Sequence, residues 1–479
     1  MKSSPSSSQA GSTGRLSLLQ AAAEVPDAIA WVLDGQAVSY GELAAALRPV
    51  LGGLVARGIG VESTAPVGVI AELDREALLL VYALFELGVP VVPLHPRFTV
   101  AERRTLLARA GAALLLDAAE IQGEPYDPPP PLPDDGPPLA ILFTSGSSGT
   151  PKGVELSRAA FVASAAASAA NLGWRPDDRW LLSLPYAHVG GLSVLTRCLI
   201  DRRTVVIAPL PRFEPSAVMA TVEEQRVTLM SLVPTQLDRV LAQDPPLAPP
   251  PTLRALLLGG APAAASLLRT AAAKGWPVLT TYGLTEACSQ VATQRPGTPP
   301  DAATGSGPCL PGVEVRLDSG VIALRGPMLL TRYLPAGEYG PPCDAAGWFR
   351  TSDLGRLDEQ GHLHVLGRAD QVIVSGGEKI APAEVEAALL AHPAVAAACV
   401  FGVPDPVWGQ AVAAAIQPVA GQGLKEQELR LHLAQTLAPF KRPRRLAILP
   451  ALPLLPSGKI DRRAVIELCV ERLPEEHGR

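Results

Sequence analysis

The chain contains no run of 18 uncharged apolar residues, so no segment of it reads as a membrane-spanning helix. It has no C-x-x-C pair. Its six cysteines (Cys198, Cys288, Cys309, Cys343, Cys399, Cys469) are scattered, and none stands at zinc-ligand spacing from a histidine. That excludes a structural zinc site and points to free thiols in a reducing, cytoplasmic compartment. There is no basic stripe. Against 46 acidic residues stand 41 basic ones, a net charge of −5, which gives no reason to expect a nucleic-acid partner. The densest basic cluster, Lys441-Arg442-Pro443-Arg444-Arg445, fits an anion-attracting surface and a solvated loop equally well. The Ser-rich start, Met1 to Gly14, lacks the apolar core of a secretory signal and reads as a disordered tail. A transit peptide is the alternative, with Arg15 as its first arginine. No internal repeat is evident.

What is present is globular: 48% hydrophobic and 18% charged residues over a length, 479, that calls for two to four domains or subdomains. Strand-like and helix-like segments alternate from Ala30. Strands are expected at Ala30–Leu33, Pro66–Ile70, Val89–Leu94 and Ala113–Leu116. Helices are expected at Gly41–Ala56 (Ser39 as N-cap), Asp74–Leu87 and Thr99–Ala110. That order predicts layered α/β sheets. Residues 123–138, proline-dense, read as an extended surface connection. Arg316–Leu324 and Gly361–Leu366 read as short β segments of a compact subdomain. After Ala369–Gln371 the pattern becomes a small α+β unit. It has helix Pro382–Ala391 with proline at its first position, strands Ala396–Val403 and Ala411–Gln417, helices Lys425–Leu437 and Arg463–Glu471, and a loop at Leu455–Ile460. The expected division is a tail at 1–14, a large N-terminal domain at 15–369 and a small mobile domain at 370–479.

The most informative segment is Ile141 to Val154. A buried strand, Leu139–Phe143, empties into small, hydroxyl-bearing and glycine residues that end in a lysine. Gly146, Gly149 and Gly153 permit positive φ and close backbone approach. The hydroxyls of Thr144, Ser145, Ser147, Ser148 and Thr150, exposed N–H groups and the charge of Lys152 can cradle phosphate oxygens. The spacing is not that of a Walker A loop, since Gly153 follows Lys152 where Ser or Thr would stand. A flexible linker is the alternative.

A second segment, Thr281-Tyr-Gly-Leu-Thr-Glu286, follows a strand at Pro277–Thr281. It presents through a glycine turn an aromatic ring able to stack on a base, a hydroxyl able to bond phosphate, and a carboxylate able to hold Mg²⁺. Leu257-Leu-Gly-Gly-Ala-Pro262 is another strand ending in glycines. Asp353, in Thr351-Ser-Asp-Leu-Gly, can accept from vicinal ribose hydroxyls or form an Asx turn.

Together these segments, in order from about residue 140 to 463, resemble the adenylate-forming superfamily of acyl-CoA synthetases, peptide-synthetase adenylation domains and luciferases. The resemblance implies a large N-terminal adenylation domain and a small mobile C-terminal one. ATP, Mg²⁺ and coenzyme A are implied as ligands. It assigns the loop Thr144–Lys152 to phosphate, Gly260, Ala261 and Pro262 to adenine, and Tyr282, Gly283 and Thr285 to ATP. Glu286 is assigned to the metal and Asp353 to ribose, with Ser352 replacing the usual glycine. Arg368 is placed near ribose or phosphate and Asp370 at the hinge. Gly376 and Gly377 leave room for an acyl-acceptor tunnel, beside Lys379 where asparagine is usual. Lys459, in Pro456-Ser-Gly-Lys-Ile-Asp461, matches the C-terminal catalytic lysine; on its own it is as well read as a loop lysine. With Thr285, Glu286 and Lys152 it makes the implied catalytic set.

Ser183–Arg197, Ser231–Leu237 and Gly283–Gln290 resemble, within that superfamily, the o-succinylbenzoate–CoA ligases of menaquinone or phylloquinone biosynthesis. Their substrate has one carboxylate to activate and another to recognise. Arg197, set among Val194, Leu195, Leu199 and Ile200, suits that recognition, since a buried guanidinium needs an anion. An i,i+4 pair with Asp201 or snorkelling to solvent are the alternatives. The resemblance adds His188, Ser231, Ser289 and Gln290 to the acid pocket. Another acyl-CoA synthetase, an acyl-AMP ligase that never uses CoA, and a non-catalytic nucleotide sensor remain as other readings. Homo-oligomerisation is open.

Overall fold

A computed structural model describes residues 14–128, 130–144, 151–208, 213–300, 305–419, 421–455 and 458–470. The expected tail lies outside them except for Gly14, whose N–H donates to the Leu132 carbonyl at 3.3 Å.

Two α/β sheets and a β sheet build the larger part. The first runs, edge to edge, through Ser289–Thr293, Val278–Leu284, Ala255–Leu258, Leu229–Leu232, Arg179–Leu182, Thr204–Ile207, Ile29–Leu33 and Gln36–Ser39. Its six inner strands are mutually parallel and nearly all buried, reading as short Val/Leu runs. The second sheet orders Arg332–Leu334, Lys152–Ser157, Pro138–Thr144, Val91–Leu94, Val67–Ile70 and Leu114–Leu116. An antiparallel sheet of Glu314–Asp318, Val321–Arg325, Phe349–Leu357 and Leu363–Arg368 follows. One 3₁₀ turn, Ala369–Gln371, separates it from the C-terminal sheet, which centres on the long hairpin Val395–Asp405/Gly409–Pro418 with its own apolar core.

Local chemistry explains the elements. Ser39 and Glu42 form a reciprocal capping box on helix Tyr40–Ala56. Two glycines late in that helix, unfavourable by about 1 kcal/mol each, are explained by what crosses them. A Cβ on Gly52 would stand 1.7 Å from the Glu124 carbonyl, so the proline-rich connection can lie against the helix only over bare backbone.

Three expectations need correction. Arg316–Leu324 is not one segment but a hairpin, because Ser319 and Gly320 both take positive φ (53° and 83°), which a two-residue turn requires. Gly283 is not in a turn. The strand runs through it to Leu284 at a bulge, where a Cβ would meet the Ser289 carbonyl at 2.0 Å. Gly153 does not take positive φ; it sits in a strand opposite Phe143, where a Cβ would press on the Leu334, Ile141 and Phe143 side chains at 3.1–3.3 Å.

Candidate active site

The parallel strands end together on one side, the usual location for ligand crevices in such sheets. His95 follows Val91–Leu94, Ser183 follows Arg179–Leu182, Gly260 follows Ala255–Leu258, and Thr285 and Glu286 follow Val278–Leu284. The phosphate-loop candidates Ser145, Gly146, Ser147, Ser148, Gly149 and Thr150 lie outside the described residues. Their flanks pair with each other, Thr144 opposite Lys152, so the segment joins two antiparallel strands and not a strand to a helix. The Lys152 ammonium lies 5.3 Å from the Tyr333 ring centroid and 5.0 Å from that of Tyr339.

Tyr282, Asp353, Arg368 and Glu286 converge. Asp353 does not form an Asx turn. It lies in a strand directly opposite Arg368, and its Oδ2 accepts from the Tyr282 hydroxyl at 2.6 Å. Tyr282 is 9% exposed, and burial, then Asp353, pushes its phenol pKa up. Arg368 approaches Asp353 at 3.8 Å and grips Asp370 through two bonds, 2.9 and 2.7 Å. That grip holds the Asp370 carboxyl below its ordinary range. Glu286 Oε1 accepts from the Tyr333 hydroxyl at 3.1 Å, and burial drives its carboxyl pKa up. No described cation comes within ion-pair distance of it, nor do the described residues hold a cluster of three or more His, Cys, Asp or Glu suited to a metal. A single buried carboxylate of this kind fits Mg²⁺, which keeps waters and substrate phosphates as its other ligands.

Lys459 reaches into the same space from the C-terminal unit. Thr235 Oγ1 donates to the Gly458 carbonyl at 2.7 Å, anchoring the loop. A Cβ on Gly260 (φ 80°) would lie 3.1 Å from Lys459 Cε, so that glycine admits the lysine stem. Burial lowers the Lys459 pKa, with Asp353 opposing. His188 is the N-cap of helix Val189–Ile200 and makes no side-chain cap bond. Burial, His95 and Lys459 together lower its pKa to about 4, leaving a neutral imidazole. Ala261 and Pro262 continue the Gly260 turn.

Arg197 sits in the last turn of the His188 helix, 3% exposed. Its Nη2 donates to Ser164 Oγ at 3.4 Å, its Cζ lies 5.6 Å from the Trp180 ring, and its Nε has no partner. Neither alternative reading holds. The side chain does not reach solvent, and Asp201 instead accepts from the Trp174 indole at 2.8 Å. Burial lowers the guanidinium pKa to about 10, so it remains charged at neutral pH without a carboxylate beside it. Ser164 Oγ donates to the Cys288 carbonyl at 2.6 Å, which links Arg197 to the strained pair Cys288 (φ 49°) and Ser289 (φ 93°). Next to them Gln290 is buried, its Nε2 bonded to Thr293 at 2.9 Å and its Oε1 unpartnered. Ser231 ends near Ser183, whose hydroxyl donates to the Ser231 carbonyl at 2.5 Å.

Gly376 and Gly377 form the turn of the hairpin Ile373–Ser375/Glu378–Ile380. A Cβ on Gly376 would stand 2.5 Å from the Trp408 ring, so the space it leaves holds an indole here. Lys379 lies in the second strand of that hairpin, exposed. Residues absent from the sequence reading are His95, whose ring is 6.1 Å from that of His188, and Tyr333. The position of His95 just past a parallel strand was a usable signal. Tyr333 carried none.

The AMP-binding enzyme family matches residues 18–334, and its C-terminal domain matches residues 384–459. The chain is 34% identical to a 2-succinylbenzoate–CoA ligase of Bacillus pumilus, covering 93% of this chain and 96% of that one. The ligase of that name from Bacillus subtilis is 33% identical with the same coverage. Among solved structures, the o-succinylbenzoate CoA synthetase of Bacillus subtilis in complex with its acyl-adenylate intermediate superposes with a TM-score of 0.86 at 32% identity, covering 95% of this chain and 98% of that one.

Proposed function

This chain belongs to the AMP-binding enzyme family, and on that premise we propose that it is an AMP-forming ligase joining 2-succinylbenzoate to coenzyme A. The observation that carries the choice of acid is Arg197, a buried cation with an unpartnered Nε and no anion of its own. Leaving such a group uncompensated is costly, and an ionised second carboxylate is its natural partner. A monocarboxylate would leave it bare.

In the first half-reaction a substrate carboxylate oxygen bonds to the α-phosphorus of ATP and pyrophosphate leaves. Lys459 places its ammonium where negative charge gathers between carboxylate and phosphate. Asp353, oriented by Tyr282 and Arg368, accepts from ribose hydroxyls. Glu286 would hold Mg²⁺, whose charge would offset that of the pyrophosphate. Thr285, and the loop from Thr144 to Lys152, bind the phosphates. His188, held neutral, walls the acid pocket with Ser231, Ser289 and Gln290 and takes no proton. In the second half-reaction the CoA thiol sulfur attacks the acyl carbon, and the C–O bond to AMP breaks. We assign the turn of the C-terminal unit between these steps to Asp370. Its bidentate hold on Arg368 would release as the backbone rotates. The proposed activity is a step of menaquinone or phylloquinone biosynthesis, and the likeness to 2-succinylbenzoate–CoA ligases supports it.

The test is release of AMP and pyrophosphate from ATP and 2-succinylbenzoate, followed with and without CoA. The reading requires pyrophosphate without CoA and AMP turnover only with it. Steady turnover without CoA would mean an acyl-AMP hydrolase or ligase of other acceptors, and no pyrophosphate at all would mean a non-catalytic relative.

A further inference from the structure

At the opposite end of the large parallel sheet, where its strands begin, lies a cavity of about 580 Å³. Arg179, Thr204 and Ile29 open three neighbouring strands there, and Thr228 precedes a fourth. Five arginines line it (Arg175, Arg179, Arg202, Arg203, Arg226) against two aspartates, Asp27 and Asp177. The nearest buried carboxylate, Asp178, is already neutralised by Arg254 at 2.5 Å.

Among the described residues only Arg202 of the five is ion-paired, while Arg179 Nη1 donates to the Gln225 carbonyl at 3.0 Å. Arg202 donates to Glu24 at 2.8 Å and to the Leu199 and Arg15 carbonyls. Among the described residues Arg175, Arg179, Arg203 and Arg226 have no carboxylate within ion-pair distance. Two polar atoms at the cavity are buried without a partner: Arg203 Nε, whose guanidinium stacks 6.0 Å from the Trp174 ring, and the Thr252 hydroxyl. Buried donors of this kind are nearly always satisfied. Arg202 and Arg226 also take positive φ, 53° and 51°, just past helix ends where glycine or asparagine is ordinary. Such backbone is strained for a residue with a Cβ. Four arginines without a carboxylate partner, two of them (Arg175 and Arg226) exposed at the rim, with two orphaned donors and a concave wall make an anion site. The planar guanidinium forks suit phosphate oxygens.

We propose that this cavity binds a phosphate-bearing anion carrying two or more negative charges, at a site separate from the catalytic one. Its volume admits an oligophosphate or a nucleotide phosphate. The test is calorimetric titration of the full chain with inorganic pyrophosphate and, separately, with adenosine 3′,5′-bisphosphate. Wild type is compared with the Arg175→Ser/Arg226→Ser variant and with Arg203→Gln. At least one probe should bind wild type at one equivalent beyond the catalytic site, and the variants should weaken that equivalent tenfold or more while the ATP affinity and thermal midpoint stay unchanged. Response to pyrophosphate alone assigns a free oligophosphate; response to the bisphosphate alone assigns a nucleotide. Equal stoichiometry and affinity in all three proteins for both probes would overturn the proposal.

Discussion

Two arginines in this protein, one half-buried and one buried, meet opposite fates. Arg254, near the start of the large sheet, is locked to Asp178 through bonds of 2.8 and 2.5 Å, with Thr228 on the same carboxylate at 2.7 Å and the Leu172 and Gly173 carbonyls taking its other protons. Arg197, which we assign to the acid pocket, has one long bond to a hydroxyl, an aromatic face and an unpartnered Nε. A folded chain can satisfy a buried guanidinium completely when nothing else is asked of it. Arg158, 1% exposed with an unpartnered Nε and one bond to the Phe85 carbonyl, shows that an incomplete set of partners alone does not mark a ligand site. For Arg197 the position on the His188 helix is what ties the deficit to a ligand.

Breaking the satisfied node should have the largest effect on stability. Asp178→Ala leaves the half-buried Arg254 without its carboxylate and Thr228 without its acceptor, and should cost about 3 kcal/mol of unfolding free energy, read by denaturant titration, with acid selectivity intact in the folded fraction. Lys459→Ala should lose about 3–4 kcal/mol in the adenylation barrier, two to three decades in pyrophosphate release. Thioester formation from supplied acyl-adenylate should be spared, and equal loss in both half-reactions would remove Lys459 from its assigned role.

His188 sharpens the contrast through pH. Its folded pKa of about 4 lies below its ordinary value near 6.5, so the stability it contributes is present above pH 6.5 and is lost as pH falls toward 4. Between pH 7 and pH 5 the wild type should lose about 2 kcal/mol that His188→Phe retains, measured as the difference in unfolding free energy. An identical acid limb in both would show that His188 titrates freely.

The comparison also explains what was legible in the sequence. The elements expected before residue 117 and in the C-terminal unit announced themselves through short apolar runs, Ser39 as a cap and Pro382 at a first turn, and they lie within two residues of the expected bounds, whereas the inner strands from Arg179 to Leu258 were expected only as further α/β pattern. The turn at Ser319-Gly320 was missed because it needs two consecutive positive φ angles, and only one of the two residues is glycine. Arg197 was legible as a charge among apolar residues. Its lack of a partner was not, since Asp201 one turn on looks like one until Trp174, distant in space from any sequence pattern, claims it. Likewise Asp353 announced a carboxylate, but the Tyr282 hydroxyl and Arg368 that aim it come from other strands.

Arg197→Met offers the smallest stability change and, with it, the opposite sign. Removing a charge that the fold does not compensate should raise unfolding free energy by ~1–2 kcal/mol in the unliganded protein. The same substitution also gives the most direct test of why the charge is there: kcat/KM for 2-succinylbenzoate and for its analogue lacking the second carboxylate, in wild type and Arg197→Met. The account predicts a loss of ~2–4 kcal/mol for the diacid in the variant, little change for the monoacid, and an unchanged ATP dependence. A wild type that prefers the monoacid, or a variant that loses both substrates equally, would contradict it.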